Sequence, residues 1–285
     1  MIVIGTRGSA LALAQARIVA RALGDEVQLR VIHTAGDASD RPIRELGDGV
    51  FVGAVEDALL RGDVDVAVHS LKDLPTAEAP GLAIAAIPAR EDPRDVLITA
   101  DRRGLAGLRP NALVGTSSPR REAFLRALAP GIATAEIRGN VDTRLRKVMQ
   151  GEYDATVLAA AGLRRLGIAF DPDEALDLAT FPCAPGQGAL AVQTRADDPR
   201  RRQVRDALDH TPTRRAVEAE RETLRLAGAT CAIPMGCYGR SEGDDVVLDA
   251  AVATATGIRR AHARGREPSE VARTVARDLG VLVHA

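Results

Sequence analysis

Short apolar runs alternate with longer amphipathic stretches along most of this chain, and that alternation restricts it to the α/β class. Strands are expected at Ile2–Thr6, Gln28–His33, Val64–His69, Leu82–Ile87, Val96–Thr99, Leu113–Thr116, Thr134–Ile137 and Ala155–Leu158. Helices are expected at Ala10–Leu23, Phe51–Leu60, Arg120–Leu128, Val141–Gln150 and Ala160–Leu166. Proline and glycine crowd two places, "PAREDPRDVLITA" after the fourth strand and "FPCAPGQGALAV" from Phe181 to Val192. Both read as crossings between two similar α/β lobes. Beyond Ala196 the pattern turns helical, and from about Thr211 a smaller unit begins. It holds strand-like "DVVLDAAVAT" and then "PSEVARTVARDLG", a helix with proline at its start. The organisation expected is a first lobe from 1–90 with 188–208, a second from 91–187, and a C-terminal α/β domain from 209–285.

With aromatics at 2% and no Trp, the core has to be built from Ala, Val, Leu and Ile. Three cysteines make no disulfide framework, and the odd count fits a reducing compartment. The chain opens on a strand-like run with no basic segment before it, and no apolar run approaches the roughly 20 residues of a membrane span. A cytoplasmic protein is expected, with no membrane partner. Of 38 basic residues only two are lysines, Lys72 and Lys147, so a retained lysine at 72 stands out. Most of the arginines are explained by base composition alone. A few sit where their planar fork, suited to carboxylates and phosphates, has a use.

Four stretches put polar residues at strand ends, where open α/β sheets hold ligands. In "GTRGSALA", Arg7 and Ser9 lie between a strand and a helix, and Ser9 is a good N-cap. Taken alone, that is a capped helix with a solvated arginine. In "DVDVAVHSLKDLPT" an apolar strand runs into His69, Ser70, Lys72 and Asp73, which suits proton or cation chemistry as well as it suits a polar turn. In "VGTSSPRREAFLRAL", Ser117 and Ser118 precede a helix whose first turn carries Arg120 and Arg121. Cations there oppose the helix dipole, so a compensating ligand anion is expected. In "EIRGNVDTRLRKV" a strand ends at Arg138, and Arg144 lies in the next helix. Together these loops describe a cleft with Arg7, Arg120, Arg121, Arg138 and Arg144 and one carboxylate, Asp73. It suits a small molecule bearing several carboxylates. Nucleic acid is disfavoured, because the net charge is −1 and there are almost no aromatics to stack on bases. The stretch "GATCAIPMGCYG" adds Cys231 and Cys237, whose spacing alone leaves metal, disulfide, catalytic thiol and core roles open.

These motifs resemble, in order and over nearly the whole chain, those of the porphobilinogen deaminase (hydroxymethylbilane synthase) family. The matching text is "TRGSALALAQA", "VHSLKDLPT", "TSSPRR", "IRGNVDTRL", "DATVLAAAGLRRLG" and "PGQGALAV". The resemblance is weakest after about Arg240. It implies two lobes like those of periplasmic binding proteins and a third domain carrying a cofactor cysteine. The family's "GGCxxPxG"-like turn matches "ATCAIPMG", so Cys231 is implied as the thioether attachment of a dipyrromethane cofactor. Pro234 and Gly236 agree with that pattern, whereas Ala229 and Thr230 depart from it. Cys237 falls outside and is expected to be a bystander; no zinc or other metal site is expected.

The implied reaction joins four porphobilinogen molecules head to tail onto the dipyrromethane, releasing ammonia and finally the linear hydroxymethylbilane of tetrapyrrole biosynthesis. Asp73 matches the family's catalytic aspartate. Arg7, Ser9, Lys72, Ser117, Arg120, Arg121, Arg138, Arg144, Arg165 and Gln187 match positions that hold substrate or cofactor side chains. One loop departs: the family's "GGKGLF" is "LGDGVF" here, with Asp48 at a lysine position and Gly53 where another lysine is common. Asp48 is expected to point away from the cleft, with Arg44 keeping a positive charge nearby. A monomer whose partner is its small-molecule substrate is expected. A non-catalytic solute receptor of the same two-lobed shape would need a leader or anchor, and the sequence gives no sign of one.

Overall fold

The computed structural model describes residues 1–24, 26–34, 52–228 and 233–282, apart from the side chain of Asp173. Strand β1 (Ile2–Arg7) leads into α1 (Ala10–Leu23), and β2 (Val27–Ile32) returns parallel to β1. Ser9 caps α1 by accepting from the Ala12 amide, and the helix buries Gln15, Ala16 and Val19 against the sheet. Then follow α2 (Gly53–Leu60), β3 (Val66–Ser70) and β4 (Leu82–Ala86). The chain next leaves this sheet for a second, made of β5 (Asp95–Thr99), β6 (Leu113–Gly115), β7 (Ala133–Ala135) and β8 (Ala155–Ala159). Helices α3 (Pro119–Leu128) and α4 (Val141–Met149) link its last three strands in sequence, and α5 (Ala160–Arg165) follows β8. The chain then returns as β9 (Leu190–Arg195), which inserts antiparallel between β3 and β4, giving the order β2-β1-β3-β9-β4. The second sheet has the order β5-β8-β6-β7.

After α6 (Arg201–Leu208) and α7 (Thr211–Leu226), the C-terminal unit forms an antiparallel meander. Its strands are β10 (Met235–Glu242), β11 (Asp245–Thr254) and β12 (Gly257–Gly265), and α8 (Pro268–Leu279) packs on them. Two α/β lobes and a small α/β unit are thus the fold class expected from the sequence. Three strands were not: β9, β10 and β12. The stretch from Phe181 reads as a crossing through Val192, yet its last part is a fully buried strand, with Leu190 and Val192 in the same core as Ile4, Val66 and Val68. No helix among the described residues is long and apolar enough to cross a membrane.

The two crossings and the C-terminal unit meet at one buried ion pair. Glu220 of α7, fully buried, accepts from Arg90 Nη1 at 2.6 Å and Nη2 at 3.1 Å. It also accepts from the amides of Gly186 and Gly239, both at 2.6 Å. Arg90 in turn donates from Nε to the Gln187 carbonyl at 2.8 Å. Close backbone approach is needed around this point: a Cβ on Gly236 would lie 2.4 Å from the Pro182 carbonyl oxygen, and one on Gly239 2.6 Å from that of Ala216. Because breaking a buried pair strands the other charge, Glu220→Gln should lower the unfolding free energy by about 3–5 kcal/mol. Urea denaturation checks this; a loss no larger than that of a surface substitution would remove the pair from the fold's supports.

Candidate active site

The first crevice is built where β1 and β3 end. Arg7, Ser9, Gln15, His69, Ser70 and Asp73 line it, with α1 as one wall. Asp73 closes the 3-10 turn Leu71–Asp73 that follows β3 and is exposed. Gln15 Nε2 donates to Ser70 Oγ at 2.9 Å, fixing the strand end against the helix. His69 is buried, and desolvation lowers its pKa to about 4, so the ring is neutral at pH 7. The crevice therefore combines an exposed carboxylate, one guanidinium and a neutral imidazole.

The second part of the site is a buried charge cluster on Asp95, the first residue of β5. Arg120 Nη2 donates to Asp95 Oδ2 at 2.6 Å, and Arg121 Nη2 to Oδ1 at 2.7 Å. Arg121 Nε also donates to Asp95 Oδ1 at 3.2 Å, while Arg120 Nη1 donates to the Pro182 carbonyl and Arg121 Nη1 to that of Val157. Where a ligand anion is expected to compensate these two arginines, a protein carboxylate already pairs with both, and the cleft carboxylate Asp73 is joined by a second. Despite its burial, Asp95 is held below the usual carboxylate range by the two guanidiniums.

One carboxylate still faces more than one cation. Gln187 Nε2 donates to Asp95 Oδ1 at 3.0 Å, and its Oε1 accepts from Lys72 Nζ at 3.2 Å, so Lys72 joins the cluster through an amide. Burial, reinforced by Arg121, pushes the Lys72 ammonium down to about 8. Arg120 Nε is buried with no hydrogen-bond partner among the described residues.

Arg138 and Arg144 lie close enough to the cluster to be felt. Burial, then Arg121 and Arg138, push Arg144 down to about 10. Arg144 Nε donates to the Gly139 carbonyl at 2.8 Å, and Arg138 pairs with Glu136 at 3.6 Å. Ser117 Oγ donates to the Ile137 carbonyl at 2.7 Å, a bond that ties the two loops together. Arg165 is the exception among the expected residues. It donates to the Gly188 carbonyl at 2.6 Å and lines a different pocket, between α1 and α5. Cys231, Arg44 and Asp48 lie outside the described residues.

Two groups were missed in the sequence. Asp95 carried a signal, an acid opening the apolar run "DVLIT" of a central strand. Cys183 carried none. Its thiol donates to the Cys237 carbonyl at 3.0 Å, and the Cys237 amide donates to the Cys183 carbonyl at 2.9 Å. Burial pushes Cys183 up to about 12 and Cys237 well above the ordinary thiol range, so neither is a thiolate near neutral pH. Among the described residues no group of three or more His, Cys, Asp or Glu is placed to hold a metal ion.

Fold and site together define a two-lobed α/β protein with a C-terminal unit and a cation-rich cluster at its crossings. The family model described as "Porphobilinogen deaminase, dipyromethane cofactor binding domain" matches residues 2–203, and "Porphobilinogen deaminase, C-terminal domain" matches 214–283. The chain belongs to the porphobilinogen deaminase family. A porphobilinogen deaminase of Mycolicibacterium paratuberculosis is 52% identical over 239 residues, 83% of this chain and 76% of that one. Another, of Thermus thermophilus, is 44% identical over 289 residues, 98% of this chain and 95% of that one. Among solved structures, a putative methionine-binding lipoprotein from Bacillus subtilis covers 71% of this chain and 87% of its own, at 12% identity and a TM-score of 0.43. So low a likeness carries no argument.

The pairing with Asp95 fixes the sign of a stability effect. If Arg121 only opposed the dipole of α3, Arg121→Leu would stabilise. Because it holds buried Asp95 and the Val157 carbonyl, the substitution should instead cost about 1–3 kcal/mol. Chemical denaturation of the variant distinguishes the two.

Proposed function

We propose that this chain is a hydroxymethylbilane synthase. It joins four porphobilinogen molecules head to tail on a dipyrromethane held through a thioether to Cys231, and releases ammonia and linear hydroxymethylbilane. The match to both family models across the chain carries this reading. The donor set fits such a group. Acetate and propionate side chains need cations, and here a buried guanidinium nitrogen of Arg120 lacks a partner among the described residues while the Lys72 ammonium has an amide oxygen for its acceptor. In this reading Arg120, Arg121, Lys72, Ser117 and Gln187 hold the cofactor's carboxylates, with Arg138 and Arg144 beside them, and Arg7 and Ser9 receive the incoming substrate. Arg165 is assigned to the growing chain. The lobes are taken as 1–90 with 188–208 and 91–187, with a C-terminal domain from 209–285. The protein works as a cytoplasmic monomer, with no membrane or nucleic-acid partner.

When bound, the dipyrromethane supplies a pyrrole ring with a nucleophilic free α-carbon. The chain's own groups do the rest. As the substrate's C–N bond breaks and ammonia leaves, positive charge develops on the substrate pyrrole. Asp73, exposed in the crevice, opposes that charge at the ring N–H and helps move the proton lost as the new C–C bond forms. Arg7 fixes a substrate carboxylate on the same wall. His69, neutral at pH 7, adds no competing charge.

The intact protein should carry a covalent adduct of two porphobilinogen units less two molecules of ammonia, one lost in forming the thioether and one in joining the rings. Cys231→Ser should lose adduct and activity together, since a hydroxyl is a far weaker nucleophile than a thiolate near neutral pH. Cys237→Ala should keep both. An unmodified mass in fully active protein, or loss of loading in the Cys237 variant alone, would overturn the attachment.

Asp73→Asn keeps the side-chain size and removes the charge. It should lower turnover by a factor corresponding to roughly 3–4 kcal/mol, with the adduct retained. Turnover near that of the unsubstituted protein would take Asp73 out of the mechanism.

A further inference from the structure

The pocket that Arg165 lines belongs to neither part of the site above. It is a cavity of about 360 Å3 between α1 and α5, and none of Arg7, Ser9, Lys72 or Asp73 reaches it. Arg17 and Arg21 of α1 face Arg164 and Arg165 of α5 across it, with Ile18 on one wall. The same helix presents Leu11, Ala12 and Gln15 to the crevice, so α1 separates two compartments.

Four guanidiniums meet one carboxylate here. Glu91 Oε1 accepts from Arg164 Nη1 at 2.9 Å, Arg164 Nη2 reaches Asp92 at 3.1 Å, and the Glu91 charge also acts on Arg165, so these acids serve the two arginines of α5 rather than the two of α1. Burial pushes Arg165 down to about 10. Arg17 and Arg21 are exposed and form no ion pair among the described residues. They stand four apart on one helix face, a like-charge spacing that destabilises a helix by a few tenths of a kcal/mol. Arg164 and Arg165 have partners within the fold, whereas a multiply charged anion in the pocket is what would offset Arg17 and Arg21. The volume lies within the range of small-ligand pockets.

We propose that this pocket is a second anion site, which takes a compact polyanion with several phosphoryl or carboxylate oxygens. Such a ligand bridges α1, packed on the first sheet, and α5, which follows β8 of the second. Glu91 and Gly188, one from each crossing, lie beside it. It therefore favours one arrangement of the two lobes over others.

The test is calorimetric titration of the cofactor-loaded protein with pyrophosphate and with citrate, at fixed ionic strength, beside the Arg17→Ala/Arg21→Ala double variant. Both arginines are exposed and remote from Asp73, so the variant should fold and keep its turnover without added anion. At least one anion should bind with a single saturable stoichiometry, and the variant should weaken it at least about tenfold. Tighter pyrophosphate marks a phosphoryl ligand, and tighter citrate a carboxylate one. Absence of saturable binding by either anion, or equal affinity in the variant, overturns the proposal. The synthase reading, in which Arg165 has its own part, is tested separately by the adduct mass and by the Asp73 variant.

Discussion

The contact between Glu220 and Arg90 is the one on which the rest of the structure depends. One carboxylate accepts from a guanidinium on the first crossing, from the Gly186 amide on the second, and from the Gly239 amide on β10. Both passages between lobes and the C-terminal unit are thereby tied to a single buried atom group. Burial of this kind is costly unless every lone pair is used, and here four donors use them. The packing follows suit: Phe181 of the second crossing sits edge-on to Phe124 of α3 at 5.8 Å, and Ala251 of β11 joins that same core cluster.

Asp95 plays a comparable part for the site. By holding Arg120 and Arg121 it supports two guanidiniums inside the protein before any ligand arrives. Preorganised cations cost no rearrangement when an anion binds, which is the condition for strong electrostatic recognition. Gln187 extends the arrangement to Lys72 and so couples the second crossing to the turn that presents Asp73. The residues that would touch a ligand are thus braced by residues that would not.

Much of this was legible in the sequence where local chemistry and tertiary role agree. Helix α1 reads to the residue because Ser9 caps it and its apolar face is regular. The first crossing reads from its prolines. What stayed hidden had local signals pointing elsewhere. Strand β12, "GIRRAHARG", is interrupted by exposed arginines at 259, 260 and 264 that break a clean apolar alternation, and β10 carries Gly236 and Gly239 because backbone passes too close for a side chain. Strand β9 follows a Gly- and Pro-rich run that masks its start. The arginines at α3 were noticed for the right electrostatic reason, but their partner lies 25 and 26 residues away in sequence, beyond any local pattern. Arg165 matched a family motif, and only three-dimensional placement shows which compartment it lines.

The position of β9 sets the order in which the molecule can assemble. It lies between β3 and β4, yet it is made only after the whole second sheet. During synthesis β3 and β4 therefore emerge without the strand that joins them, while the second sheet is a continuous stretch able to close on its own. Loop-closure entropy and contact order both favour that stretch as the earlier folding unit. The first sheet is then completed from its middle rather than its edge, and a nascent chain halted before residue 190 carries two strands whose backbone groups still await a common neighbour.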